Sequence, residues 1–272
     1  MVTIKFNHVN IDKPIGMLEN LILDCKKVRD SINNKSHEEG DPSPSVADFY
    51  RKANETIGVV QGRIDTLKAI TRRILELNQN GVGTSHVNGD IIIEGVPDSV
   101  ENAGYAGFET WSRGVLDSKL LIKYSEEGCT PAQYDALLAR MKQYQNDPSY
   151  AAAVFDEIGP GRLLDLPIDI GDNFIKTTGS GPARSTKNLR PNAEKDLANV
   201  LGHLLAARSQ SWTDEEASKY ANSLVQYAEE KNKGQRLGSL NEILSASRGV
   251  DIDGDRNNET VGLDYNDAFL LT

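Results

Sequence analysis

The sequence is poor in cysteine and histidine, the side chains that most often bind metals or form covalent bonds. Its two cysteines, Cys25 and Cys129, lie far apart, so they provide neither a disulfide framework nor a set of zinc ligands. No two of its four histidines are four residues apart, which is the spacing of a metal-binding pair on a helix. We expect these six side chains to be packed or solvated rather than reactive.

Long apolar runs and an excess of basic charge are also absent. No stretch approaches the ~18 apolar residues that a membrane-spanning helix requires, and the first residues lack the pattern of an ordinary signal peptide. Thirty Lys+Arg against 40 Asp+Glu give a net charge of -10, which argues against binding to nucleic acid or to an anionic membrane. The length of 272 residues is that of about one to two domains.

Two long helical patterns are present in the first third of the chain. Over residues 15–32 and again over 46–74, apolar residues recur at alternating spacings of three and four, which is typical of helices packed on each other. The polar segment between them contains Pro42 and Pro44 and cannot continue a helix. The sequence therefore predicts an antiparallel, coiled-coil-like helical hairpin over residues 1–82.

The helical periodicity is lost over residues 83–105, which we interpret as a linker containing at most a two-stranded piece of sheet. Asp90–Glu94 is rich in β-branched residues and lies between two glycines, so it predicts one short strand without an evident partner.

Residues 106–272 contain frequent signals of helix starts, and we interpret them as a helical domain. Another helix is predicted over 191–208, and 177–190 is predicted to be an exposed loop. Candidate N-cap residues precede four predicted helices and are Thr130, Asp147, Thr213 and Ser239. The predicted fold class is mainly α: a long antiparallel helical hairpin followed by a C-terminal multi-helix domain, with little or no β structure.

An acidic loop near the end of the sequence has the ligand spacing of an EF-hand. Asp253, Asp255 and Asn257 fall at positions 1, 3 and 5, and Asp264 falls at position 12. Glu259 falls at position 7, where the backbone carbonyl would bind the ion. The sequence thus predicts one Ca²⁺ site in a helix–loop–helix setting.

Two departures from the EF-hand pattern predict weak binding at this loop. Position 6 is Asn258 rather than glycine, and position 12 is an aspartate rather than the longer bidentate glutamate. The alternative is an Asp/Asn-rich turn that caps helices and binds no metal. Beyond the loop, the apolar residues of Phe269–Thr272 suggest a helix cut short, as in a fragment of a longer protein.

The hairpin and the helical domain together resemble proteins of actinobacterial type VII secretion systems. Residues 13–80 are similar in architecture to the small secreted Trp-x-Gly proteins, although the turn at Gly40–Pro44 has no tryptophan. Residues 147–270 are similar to a mostly helical domain, without an agreed activity, of larger secreted or surface proteins. The similar segments are Asp147–Phe155, Arg190–Leu197 and Glu242–Ser247. The resemblance implies export without an ordinary signal peptide, and Tyr105–Glu109 fits the Tyr-x-x-x-Asp/Glu export signal.

Two hypotheses about function follow. The first is a non-enzymatic secreted or surface-associated protein whose hairpin docks on a protein partner, either another helical hairpin or the secretion machinery. The alternative is an effector or toxin enzyme with an active site in 106–272, for which Arg184, Lys187, His203 and nearby carboxylates are the candidate residues. A cytoplasmic location is the alternative to export.

Overall fold

The computed structural model describes residues 2–38, 44–81, 84–87, 90–97, 100, 103–178, 184–230 and 233–247. Within them the chain forms eight helices and five short strands, which confirms the mainly α fold class. The chain divides into two compact units, Met1–Glu101 and Asn102–Thr272. None of the described helices combines the length and the apolar content needed to cross a membrane.

The first unit contains two long helices and a small sheet. Its elements are β1 (Val2–Phe6), α1 (His8–Glu38), α2 (Pro44–Gln79), β2 (Thr84–Val87) and β3 (Asp90–Val96). The helices pair through the apolar residues that the heptad pattern predicts, with Ile15, Ile22 and Ile64 buried between them.

Contacts between the two helices show their relative direction. Lys68 Nζ lies 2.7 Å from Glu19 Oε1, and Arg29 Nη1 donates to Asn54 Oδ1 at 2.8 Å. As the residue number rises along α1, that of its partner on α2 falls, so the pair is antiparallel. We call the row of residues through which α1 and α2 pack on each other the seam, and Arg29 is its polar residue on α1. Arg29 also pairs with Asp30, so its guanidinium group does not lie unpaired beside the apolar contact.

The sheet has the order β1-β3-β2 and is antiparallel throughout. Phe6 pairs with Ile91, and Thr84 pairs with Ile93, so the central strand is β3. The segment 83–105, interpreted as a linker from the sequence, therefore includes two paired strands of the first unit. The predicted strand has two partners: β2, which lies just before it in sequence, and β1, which lies near the start of the chain, where no local pattern reveals the pairing.

In its described residues, the second unit contains six helices and a two-stranded hairpin. They are α3 (Gly104–Glu127), α4 (Pro131–Gln143), α5 (Pro148–Asn173), β4 (Ile175–Thr178), β5 (Ser185–Asn188), α6 (Ala193–Ser209), α7 (Asp214–Glu229) and α8 (Lys233–Ser247). Helix α5 is central and packs on α3, α6, α7 and α8. Its backbone is interrupted at Gly159 (φ 68°, ψ 164°), which Pro160 follows, so that α5 consists of two helical segments.

Three of the four predicted N-caps are confirmed. Thr130 and Thr213 form capping boxes with Gln133 and Glu216, and the Asp147 carboxylate accepts from the backbone N–H groups of α5. The fourth is wrong, because α8 begins at Lys233 and Ser239 lies inside it. An interaction distant in sequence holds the earlier start of α8: Arg236 donates two hydrogen bonds of 2.7 Å to Asp165 on α5.

The segment 177–190, predicted to be an exposed loop, contains most of the β4–β5 hairpin. Ile175 pairs with Asn188 and Thr178 with Ser185, and all residues of both strands are exposed. The exposure of this segment agrees with the prediction. The strand pairing was not predicted, because neither strand has an apolar face that would identify it as a strand.

Candidate docking site on the helical hairpin

Exposed apolar side chains are concentrated on the two helices of the hairpin. Nine large apolar residues of the described chain are exposed, and six of them lie on α1 and α2. These six are Met17, Leu21, Leu23, Val28, Phe49 and Val59, with exposed fractions from 39% to 65%. Scattered exposed apolar residues are common in proteins, but such a concentration on one pair of helices is typical of an interaction site.

Five of the six lie on one face of the hairpin, and only Leu23 falls on the other side of α1. Met17, Leu21 and Val28 form a second stripe beside the seam of α1, at spacings of four and seven. A groove of about 440 Å³ lies between this stripe and α2, because Val28 of α1 and Phe49 of α2 both line it. We call the set Met17, Leu21, Val28, Phe49 and Val59 the docking face.

The length of the docking face follows from the helix register. Arg29 contacts Asn54, so Val59, five residues after Asn54, lies beside the residue five before Arg29, which is Asp24. By the same count Phe49 lies beside residue 34 of α1. The face therefore spans about 17 residues of helix, or roughly 25 Å.

The charges at its edges are paired within the hairpin. Lys52 Nζ lies 2.8 Å from Asp48, and Lys27 Nζ lies 3.1 Å from Asp24. Hydrogen bonds from Lys52 and Arg51 hold the pKa of the Asp48 carboxyl below its usual value. Since the rim carries both signs of charge in local pairs, the contact it offers is chiefly apolar.

Helix α2 also carries two glycines that its own packing does not explain. A Cβ atom added at Gly58 or Gly62 would meet no atom within 4 Å. Glycine inside a helix is less favourable than alanine by about 0.5–1 kcal/mol. Gly62 lies about one turn after Val59 and so beside it, whereas Gly58 lies about 100° round the helix from Val59. The missing side chain at Gly62 would let another backbone approach α2 closely next to the docking face.

The comparisons with known proteins give one match. The sequence profile of the family DUF6571 matches residues 1–272. The chain belongs to this family. DUF6571 is described as a family of unknown function, and no curated protein and no solved structure matches the chain.

The predicted calcium ligands Asp253, Asp255, Asn257, Glu259 and Asp264 lie outside the described residues. Within the part of the chain that the structure describes, no cluster of His, Cys, Asp or Glu is arranged to hold a metal ion.

The candidate residues of the enzyme hypothesis lie on different surfaces. Arg184 and Lys187 are exposed, next to and on β5. His203 is half-buried on α6, ten residues after the helix begins, or about 15 Å along its axis. Burial lowers the pKa of its imidazole, and its Nδ1 atom has no hydrogen-bond partner among the described residues. None of these three side chains lines the cavities on the hairpin or at the start of α6.

The two cysteines are half-buried and unpaired. Cys25 lines the groove of the docking face, and burial raises the pKa of the Cys129 thiol, which keeps that thiol protonated. Sequence reasoning missed the docking face, although the stripe of Met17, Leu21 and Val28 beside the seam was a signal that could have identified it.

Proposed function

We propose that this protein is a non-enzymatic docking protein whose N-terminal hairpin, residues 1–82, binds a helical protein partner. The observation that supports the proposal is the docking face, five exposed apolar side chains along about 25 Å of one side of the hairpin. Burying such a face on a partner removes apolar surface from water, which is the dominant favourable contribution to most protein association.

The shape and chemistry of the face favour a helix as the partner. The stripe follows the spacing of one helix surface, and a helix of about 17 residues would match its length. An amphipathic hairpin as partner would complete a four-helix arrangement and bury the apolar sides of both pairs. Gly62, one turn after Val59, would allow that helix to lie close to α2.

The proposal includes export, on the resemblance to substrates of type VII secretion. Tyr105 and Glu109 are one turn apart near the start of α3, so their side chains lie on the same side of that helix. If they form the export signal, changing both to alanine leaves the protein inside the producing cells, whereas the unchanged protein appears in the medium or at the surface.

Site-specific photo-crosslinking tests the docking proposal. A photoreactive phenylalanine analogue is placed at Leu21 or Val59, and at Lys26 or Gln61 as exposed control positions on the same helices. We expect crosslinks to one protein at the two face positions and none at the controls, after irradiation of the cells that produce the protein.

A paired variant connects the crosslink to the apolar chemistry of the face. Leu21→Ser with Val59→Ser should abolish the crosslink from a reporter at Val28 and leave the melting temperature nearly unchanged, because both side chains are exposed. Equal crosslinks at face and control positions, or no crosslink at all, would contradict the proposal. A crosslink to a second copy of the chain would show that the face mediates self-association and does not bind a separate partner.

A further inference from the structure

The second unit contains a cavity of about 470 Å³, and the docking face plays no part in it. It is formed by the end of α5 at Gly171 and Asp172, the start of α6 at Asn192–Lys195, and α8 at Ser239 and Glu242. Its volume falls within the range of about 300–1,000 Å³ that is usual for small-molecule sites. Its polar groups indicate what it would bind.

The first of these groups is the N-terminus of α6. Asn192 has a left-handed backbone (φ 66°, ψ 11°), and its side chain makes no capping hydrogen bond. At α4 and α7, by contrast, Thr130 and Thr213 accept from the N–H of the third helical residue. The N–H groups of Glu194 and Lys195 therefore lie at the cavity without a capping side chain, where the helix dipole favours a negatively charged oxygen.

The second group is the hydroxyl of Ser239. This residue is only 2% exposed, and its Oγ atom has no hydrogen-bond partner in the described part of the chain. Six other helical serines donate to a carbonyl three or four residues earlier, namely Ser112, Ser118, Ser125, Ser209, Ser223 and Ser247. Ser239 makes no such bond and lines the cavity, so a ligand oxygen that reached its buried O–H group would supply the missing hydrogen-bond partner.

The third group is a set of carboxylates at the mouth. Asp172, Glu194 and Glu242 line the cavity and are exposed, against the single unpaired cation Lys195 among the described lining residues. The Arg190 guanidinium also lines it, but it is bound to Asp135 and Asp196. The mouth therefore favours a cationic group, whereas the floor favours an anionic one.

We propose that this cavity binds a small zwitterion of the size of an amino acid or a dipeptide. Its carboxylate accepts hydrogen bonds from the first-turn N–H groups of α6 and from the Ser239 hydroxyl. Its ammonium group lies at the mouth between the carboxylates of Asp172 and Glu242. This site lies in a different unit from the docking face and does not depend on the proposed docking function.

Isothermal titration of the full chain tests this proposal. The probes are L-alanine, L-glutamine, L-lysine, L-phenylalanine and L-alanyl-L-alanine, with acetate, ethylamine and glucose as probes that carry only one charge or none. We expect at least one zwitterion to bind with a Kd below about 1 mM and at least tenfold tighter than acetate or ethylamine. No binding by any zwitterion, or equally tight binding of acetate or glucose, overturns the proposal.

Two variants assign the binding to this cavity. Ser239→Ala should weaken binding about tenfold through the lost hydrogen bond to a charged group, without lowering the melting temperature, since the hydroxyl has no partner in the fold. Glu242→Gln should weaken the binding of the zwitterion but not the binding of acetate. Ser223→Ala, on α7, is the matched control and should bind as the unchanged protein does. Unchanged binding by Ser239→Ala would also overturn the proposal.

Discussion

At the scale of single residues, the second unit contains a buried charge with three hydrogen bonds. The Asp117 carboxylate, with the residue 4% exposed, accepts from Arg140 Nε and Nη2 at 3.1 and 2.9 Å and from Tyr150 Oη at 3.0 Å. Burial, together with the nearby carboxylate, raises the pKa of the Tyr150 phenol, so the phenol keeps the proton that it donates. Asp117, Arg140 and Tyr150 lie on three different helices, so the cluster connects α3, α4 and α5.

Removing the cation from this cluster should destabilise the protein. Arg140→Ala leaves the Asp117 carboxylate buried with only the phenol as partner, and we expect a loss of about 2 kcal/mol in the free energy of unfolding, since water reaches the guanidinium site in part. Arg162→Ala removes an exposed pair with Glu126 and should cost less than about 0.5 kcal/mol. Urea unfolding followed by circular dichroism measures both; equal losses would show that the cluster contributes no more than a surface pair.

Protonation of the His203 imidazole should make the stability of the second unit depend on pH. Its folded-state pKa is lowered by burial below the usual value of 6.5, so the unfolded chain takes up a proton at a higher pH than the folded one does. The contribution to stability is therefore complete above about pH 7 and is lost as the pH falls through 6.5 towards the folded-state value.

Replacement of His203 by glutamine should reduce this loss of stability between pH 7 and pH 5. Urea midpoints measured at half-unit pH intervals give the comparison, and His86→Gln on β2 is the control, because an exposed imidazole is hydrated in both states. If His203→Gln retained the full slope of the unchanged protein over this range, other groups would be responsible for it.

At the scale of elements, glycines within helices have opposite roles in the two units. An alanine Cβ at Gly58 or Gly62 meets no atom within 4 Å, whereas at Gly114 it would lie 2.7 Å from the Tyr150 carbonyl oxygen and 2.9 Å from Ala153 Cβ. Gly114 is thus required for the close packing of α3 on α5, and the glycines of α2 are not required by the fold.

Alanine substitutions should separate these two roles. Gly58→Ala and Gly62→Ala should each stabilise the first unit by about 0.5–1 kcal/mol through helix propensity and the lower entropy of the unfolded chain. Gly114→Ala should destabilise the second unit by about 1–3 kcal/mol, because the helices must move apart. Denaturant unfolding measures the three variants, and a stabilising Gly114→Ala would contradict the packing assigned to it.

The elements also show which parts of the fold can be predicted from sequence. The seam of α1 and α2 and the caps at Thr130 and Thr213 depend on residues a few positions apart, and these predictions are confirmed. The pairing of β1 with β3 joins the two ends of the first unit, and the start of α8 depends on Asp165, 71 residues from Arg236. Such distant contacts leave no local pattern.

The two candidate sites also differ in whether they depend on a local sequence pattern or on contacts between distant residues. The docking face arises from one helical periodicity and was open to prediction. The zwitterion cavity needs an uncapped helix, a serine without a partner and the end of α5, and only the packing of α6 and α8 brings them together. Sequence reasoning assigned Ser239 to a cap, so its isolation from other polar groups could not be anticipated.

At the scale of the whole molecule, the two proposed activities lie in separate units. The docking face belongs to Met1–Glu101 and the cavity to Asn102–Thr272. Because the two sites share no residues, substitutions in one unit serve as controls for the other: the Leu21/Val59 serine pair should leave zwitterion binding unchanged, and Ser239→Ala should leave the crosslinks unchanged.

Calcium would act on the stability of the whole chain, and its site stays a prediction of the sequence. Asp253, Asp255 and Asp264 place three carboxylates in one loop, and a divalent cation would relieve their repulsion. A cation that binds only the folded chain adds about 1.4 kcal/mol at ten times its Kd, which corresponds to an increase of about 2–4 °C in the melting temperature. The predicted Kd of ~10⁻⁴–10⁻³ M places that concentration at a few millimolar.

Thermal melts in 5 mM CaCl₂, 5 mM MgCl₂ and EDTA measure this effect, at a calcium concentration of about ten times the middle of that Kd range. Calcium alone should raise the midpoint, because magnesium keeps its waters and demands a more regular octahedral site. Asp253→Asn with Asp255→Asn should abolish the increase, whereas Glu94→Gln, an exposed carboxylate on β3, should retain it. Identical midpoints in calcium and EDTA would instead identify the loop as an Asp/Asn-rich turn, whose side chains bond to their own backbone and leave no oxygen free for a metal.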